Sequence, residues 1–297
     1  MLQRQRIYEL ILGDYKSKNK DAISITNLQV TFDVSKSSDN KRKSNSANIE
    51  VYNLSNNTIA KLDSTEYLGV SLSCGYEDTG LVNLITGQVT QVTTRRSGTD
   101  KVTTIVIGEG YIELNQQYLK GVTPAGSTVE QTIEEIRKQM PGIVKGGYVG
   151  LNKNQQCLYG YPLTGTPRQM LSEVCEANRM EYRIDRDALY VSDESQLTDK
   201  NLTTAFILSE NTGLIDIPYR TTADGAKLKG DKTKRKGVQF KALLNGRIFP
   251  GSPVVIQSTL ITGTFRVVNA RYYGGYNDND WYIDCFCEEI LNGDIPS

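Results

Sequence analysis

The sequence predicts an α+β protein that is mainly β, ordered as a β-domain, a small α/β domain and a second β-domain. Three observations carry this. Residues 5–112 and 205–290 hold runs in which apolar and polar residues alternate, the period of half-buried strands. Residues 125–140 and 164–180 instead space apolar residues three and four apart, as a helix with one buried face does. Gly and Asn punctuate the β regions at short intervals, where turns need them. The expected boundaries are 1–112, 113–204 and 205–297.

The first β-domain opens with "QRIYELIL" (5–12). "AISITNLQVTFDVSKS" (22–37) then alternates, with Leu28, Val30, Phe32 and Val34 on one face. "SDNKRKSNS" (38–46) is a polar, basic tip containing Lys41, Arg42 and Lys43. "ANIEVYNL" (47–54) alternates again through Ala47, Ile49 and Val51, so the two strands and the tip read as one long hairpin. Asn53, Ser55, Asn56 and Asn57 supply turn and cap groups, and "NTIAKLDS" is a single helical turn. Strands follow at 70–76, 81–96 and 100–110, punctuated by Gly75, Gly80, Gly87 and Gly98. The pattern fits an antiparallel barrel or a sandwich.

In the middle domain Val129, Ile133, Ile136 and Met140 share a helix face. Ser127 or Thr128 is the N-cap, and Pro141 and Gly142 stop the helix. A second helix has Thr166 as cap, Pro167 at its first position, and Met170, Leu171, Val174 and Cys175 inward. "EYRIDRDALYVSD" (181–193) is a hairpin turning near Asp185–Asp187. The domain thus holds two similar helix-plus-strand units. The last domain has strands at 204–210, 237–244, 251–258, 263–274 and 280–290, with a long polar loop at 221–237.

Little chemistry is marked. There are 34 basic and 34 acidic residues and a formal net charge of zero, so no global field draws the chain to nucleic acid or membrane. Histidine is absent, which removes the commonest general base and metal ligand. Cys74, Cys157, Cys175, Cys285 and Cys287 form no C-x-x-C pair and read as buried apolar thiols. The N-terminal apolar run is interrupted by Glu9 and is too short to span a bilayer, and no run of 18 apolar residues occurs. Synthesis in the cytosol, or in an infected cell, without secretion by a signal peptide is therefore expected.

"GEG" (108–110) lacks the dinucleotide-binding spacing, and no P-loop or nucleophile elbow occurs. Glu134–Glu135 and Glu288–Glu289 are adjacent and face apart, unlike paired glycosidase carboxylates. The seventeen tyrosines are scattered, as strand packing residues are. The sharpest electrostatic feature is the basic run Lys227, Lys229, Lys232, Lys234, Arg235 and Lys236. It is a contact for an acidic partner or passing DNA, or else a solvated loop, and the tip Lys41–Lys43 carries the same two readings.

The order of motifs resembles a known family. The charged hairpin, "SANIEVYNLSNNTIAKL", "VSLSCGYED", "LITGQVTQV" and "DKVTTIVIGEGY" are similar to the N-terminal tube-like domain of phage baseplate hub proteins. "GSTVEQTIEEI" and "GTPRQMLSEVCEANRMEYRIDRDALYV" resemble that family's small middle domain. "NTGLIDIPYRTTADG", "LLNGRIFPGSPVVIQS", "GTFRVVNARYYG" and "DNDWYIDCFCEE" resemble its second tube-like domain. Related proteins are phage late control protein D and the hub part of type VI secretion spikes.

The resemblance implies two tube-like antiparallel β-barrel domains flanking the α/β domain. It implies a homotrimer whose six modules join the sixfold tail tube to the threefold central spike and line the DNA channel. The partners it implies are further copies of the chain, tail tube protein, central spike protein, surrounding baseplate proteins and DNA in transit, without a membrane. The site is the virion tail baseplate, assembled in the host cytoplasm. The hairpin is expected to pack across a subunit boundary with Val30, Phe32, Ile49 and Val51 buried. Lys41, Arg42, Lys43, Lys232, Lys234, Arg235 and Lys236 are expected at the tube or spike junction or facing the channel. No catalytic residue, cofactor or metal ligand is expected. The alternatives are a cell-wall-degrading tail enzyme and a carbohydrate-binding receptor module.

Overall fold

A computed structural model describes residues 4–13, 22–39, 44–64, 69–194, 196–197, 205–222 and 236–290. The first β region comprises β1 (Arg6–Gly13), β2 (Ile23–Ile25), β3 (Val30–Ser37), β4 (Ser46–Tyr52), the helix α1 (Asn56–Asp63), β5 (Gly69–Tyr76), β6 (Gly80–Ser97) and β7 (Asp100–Gly108). The middle region comprises α2 (Tyr111–Asn115), β8 (Val122–Thr123), α3 (Val129–Lys138), β9 (Val144–Val149), β10 (Tyr161–Pro162), α4 (Pro167–Ala177), β11 (Met180–Asp185) and β12 (Ala188–Asp193). The last comprises β13 (Phe206–Ser209), β14 (Tyr219–Thr222), β15 (Lys236–Leu243), β16 (Pro253–Gln257), β17 (Thr262–Gly275) and β18 (Trp281–Glu289).

The protein is mainly β, but its described strands close no barrel. Thirteen of them form one sheet along the path β14-β15-β18-β17-β3-β4-β7-β6-β5-β1-β2, with β16 and then β13 branching from β17. The physical reason lies at β3. The run 22–37, expected as one strand, is two: β2 lies against β1, and β3 lies at the opposite end of the same half. The link from Ile25 to Val30 reaches at most about 18 Å, so this half curls until its ends approach. It stops short of closure because the outer edge of β3 is taken by β17.

The two β halves repeat one plan. In the first, β3-β4-β7-β6-β5-β1 are neighbours in that order, and in the second β14-β15-β18-β17-β16-β13 are. Each strand also holds the same place along the chain as its counterpart. One bulge position is shared: the ladder shifts between Val89 and Gln91 in β6 and between Val267 and Asn269 in β17. One departure is β13, which runs parallel to β16, whereas β1 is antiparallel to β5.

A single apolar core serves both halves, drawing on Leu10, Leu72 and Ile105 from the first and on Phe240, Val267 and Trp281 from the second. The middle region has its own core around Ile133, Ile136, Leu171 and Tyr182. Its helices start where the caps place them. Thr128 and Thr166 each accept from the backbone of the residue three on, and Gln131 and Gln169 reciprocate as capping boxes. The hairpin β11–β12 turns at Arg186 and Asp187, both at positive φ (50° and 58°), as a two-residue turn requires. α1 is longer than one turn, with eight residues capped by Ser55.

Candidate functional site

Two features organise the molecule: the seam between the halves and a charged junction where all three regions meet. In the seam β3 runs antiparallel to β17 from Thr31 opposite Gly275 to Ser37 opposite Asn269. Alternation in β3 turns Val30, Phe32 and Val34 inward, and Phe32 packs edge-on against Trp281 at 5.2 Å between ring centroids. On the outer face Arg271 grips Asp33 with two donors, Nη2 at 2.6 Å and Nε at 3.0 Å.

The junction begins at Lys36, near the end of β3. Its Nζ donates to Asp185 Oδ1 at 2.6 Å and lies 3.6 Å from Glu109 Oε2. Asn45, at the far side of the hairpin tip, donates to Glu109 Oε2 and to the Ile184 carbonyl, each at 2.8 Å. The Arg186 backbone N–H donates to Glu109 Oε1 at 2.9 Å, so the tight β11–β12 turn aims its amide at that carboxylate. Lys36, Glu109 and Asp185 are all buried.

Burial and the Asp185 charge push the Glu109 carboxyl up to about 7 against the pull of Lys36. Asp185 goes the other way: burial would raise it, but Lys36, Arg183 and Arg186 hold it well below the usual carboxylate range. Burial would lower Lys36, and Glu109 and Asp185 together raise it.

The repeated plan shows here as well. Arg266 in β17 and Gln88 in β6 occupy corresponding places just before the shared bulges. Arg266 Nη2 donates to Glu181 Oε2 at 2.7 Å, and Gln88 Nε2 donates to Glu113 Oε2 at 2.7 Å. Each half therefore grips the middle region with the same strand position. Both Arg266 and Gln88 are buried, so these contacts are shielded from salt.

Val30, Phe32, Ile49 and Val51 are interior residues of one chain, at most 5% exposed. Both edges of their hairpin are paired within the chain, β3 with β17 of the second half and β4 with β7 of the first. Lys41, Arg42, Lys43, Lys232, Lys234 and Arg235 lie outside the described residues. Lys236 begins β15, with its backbone opposite Thr222. Sequence reasoning missed Lys36, Asn45, Glu109, Asp185, Gln88 and Arg266.

The glutamates of α3 are held in ion pairs. A groove along α3 is lined by Glu130, Glu134, Glu135, Lys138 and Lys145. Glu134 pairs with Arg137, Glu135 with Lys138 and Glu130 with Lys145. Hydrogen bonds from Lys145 and Arg137 lower Glu130 and Glu134 respectively, the opposite of what a general acid needs. Among the described residues no group of three or more Cys, Asp or Glu is placed to hold a metal ion. Cys74, Cys175, Cys285 and Cys287 are buried thiols and Cys157 is half-buried. No described helix is long and apolar enough to cross a membrane.

A family model described as baseplate hub gp41 matches residues 16–287. The chain belongs to the baseplate hub gp41 family. The hub chain is thus a structural protein of the phage tail baseplate, located in the virion tail. Its fold is that of several solved proteins. A tail protein from Neisseria meningitidis MC58 matches with a TM-score of 0.64 at 10% identity, over 98% of both chains. The Escherichia coli c3393 protein, a type VI secretion component described as structurally similar to T4 bacteriophage tail proteins gp27 and gp5, matches with a TM-score of 0.65 at 8% identity, over 95% of the hub chain and 77% of its own. The 43 kDa tail protein of prophage MuSo2 from Shewanella oneidensis matches at 0.61 and 9%, over 96% and 98%. No curated protein sequence matches the hub chain.

Proposed function

We propose that the hub chain forms a homotrimer that joins the sixfold tail tube to the threefold central spike. The observation that carries this is the repeated strand order of its two β halves. One chain supplies two like modules, so three chains supply six. Such a ring offers near-sixfold contacts on one side while keeping true threefold symmetry on the other. The fold shared with a type VI component likened to gp27 and gp5 supports a place beside a spike. The partners are the tube protein above, the spike below and baseplate proteins around the rim, with DNA passing through the ring. Assembly takes place in the host cytoplasm. No wall-cutting step is assigned to the chain, and a peptidoglycan-release assay on the purified protein tests this.

The basic segments Lys41–Lys43 and Lys232–Lys236 are proposed to meet the tube, the spike or the channel. Reversing the charge of Lys232, Lys234, Arg235 and Lys236 is expected to preserve folding and to impair tail assembly. Normal infectivity of that variant would remove the segment from the proposal. The decisive experiment is electron microscopy of purified tails with a copy count by mass. Three copies between tube and spike are expected, and six copies or an off-axis position would overturn the reading.

A further inference from the structure

The seam offers a template for a contact that one chain cannot make with itself. β17 uses its first part, Thr262–Arg266, to pair with β16, and its last part, Asn269–Gly275, to pair with β3. Its counterpart β6 uses Gly80–Gln88 to pair with β5. Among the described residues no strand pairs with Gln91–Ser97 on the edge opposite β7. Both stretches begin just past the shared bulge and hold seven residues. In β6 they are exposed apart from the half-buried Val92.

The counterpart of β3 is β14, the terminal strand of the sheet among the described residues. It follows Ile217, which is 60% exposed, and begins at Tyr219, which is 55% exposed. A terminal strand carrying large exposed apolar residues invites pairing with another strand. β14 lies too far along the path from β6 to reach it within the chain, as six strands stand between them.

We infer that β14 of one hub chain, with the residues leading into it from Ile217, pairs antiparallel with Val92–Ser97 of β6 in a second copy, repeating between chains the seam that β3 and β17 make within one. This rests on the trimer reading and names its interface. The repeat also sets the register. Asp33 faces Tyr273 in the seam. The ladders place Tyr219 where Asp33 stands, through Gln239 and Asn48, and place Arg95 where Tyr273 stands. Tyr219 therefore comes opposite Arg95, and Ile217 opposite Ser97. The Arg95 guanidinium, already held by Glu50 at 3.0 Å, then lies beside the Tyr219 ring as a cation–π pair. The contact is heterologous, and three copies close it into a ring in which internal and intermolecular seams alternate.

The test is disulfide trapping in tails assembled with full-length variants. The half-buried Cys157 is changed to Ser, and the other cysteines are buried. With oxidised glutathione as oxidant, Tyr219→Cys combined with Arg95→Cys is expected to shift the chain from single to triple mass on a denaturing gel. Ile217→Cys with Ser97→Cys is expected to do the same and guards against a local fault in the first pair. Tyr219→Cys with Gln91→Cys is expected to stay at single mass. Four residues of strand displace the partners by about 13 Å, beyond the roughly 4.4–6.8 Å between Cα atoms that a disulfide bridges. If tails hold three copies and both matched pairs stay at single mass, the strand pairing is overturned and the adapter reading stands. A copy number other than three overturns both. A trapped ladder extending past three chains overturns the closed ring.

Discussion

Lys36 Nζ lies 2.6 Å from Asp185 Oδ1, although 149 residues separate them in the chain. The pair joins the end of the β3–β4 hairpin to β11 of the middle region, with Glu109 from the end of β7 as third member. Replacing Lys36 with Met removes the cation from between two buried carboxylates. Breaking a buried pair in this way costs about 3–5 kcal/mol. Urea unfolding of Lys36→Met checks this, and a loss below about 1 kcal/mol, the scale of an exposed pair, would contradict it.

The same cluster makes stability depend on pH with opposite signs. Glu109 titrates near 7 in the folded chain and near its ordinary 4.5 when unfolded. In that window the folded state holds the extra proton, so the Glu109 contribution is largest below 4.5 and falls as pH rises to about 7. Asp185 acts the other way: its contribution is present above its ordinary 3.8 and is lost on acidification below it. Melting temperatures across the window, with Glu109→Gln expected to flatten the decline, test the assignment.

Gly110 carries the chain from β7 into α2 at φ 61°, and a Cβ there would stand 2.8 Å from Ile184 Cδ1. Gly110→Ala is expected to cost about 1–2 kcal/mol for the left-handed backbone alone, plus a steric part. Ile184→Val removes the clashing methyl. A double-mutant cycle by thermal unfolding should show the two changes to be less than additive in cost.

Thr128→Ala and Thr166→Ala each remove the acceptor of a capping box. Each is expected to destabilise by about 1 kcal/mol. Hydrogen exchange should show faster opening at the first turns of α3 and α4, while β3 and β17 stay protected.

Local signals made much of the chain legible. The caps at Thr128 and Thr166, the turn after Asp185 and the hairpin through Val30 and Ile49 all follow from near neighbours in sequence. β14 was missed because Pro218 takes the inward place and Ile217 and Tyr219 point outward, which inverts the usual alternation. β9 was missed because its two glycines resemble a turn. Gly146 is glycine because a Cβ would meet the Leu189 carbonyl at 2.7 Å. Alternation shows which side of Val30, Phe32, Ile49 and Val51 is apolar, but not what covers it, so interior residues read equally well as an interface. The charged junction joins positions far apart in sequence, and no local pattern marks Lys36 or Arg266 as buried.

The seam between β3 and β17 also decides how the chain carries load. Its strands lie side by side over seven residue pairs. A force sliding one half past the other along the strands strains all of these pairings at once. A force lifting β17 from the Gly275 end opens them one after another. The hub chain is therefore stiff against shear and yielding against peel, and a tail that drives its thrust along the seam meets the stronger of the two resistances.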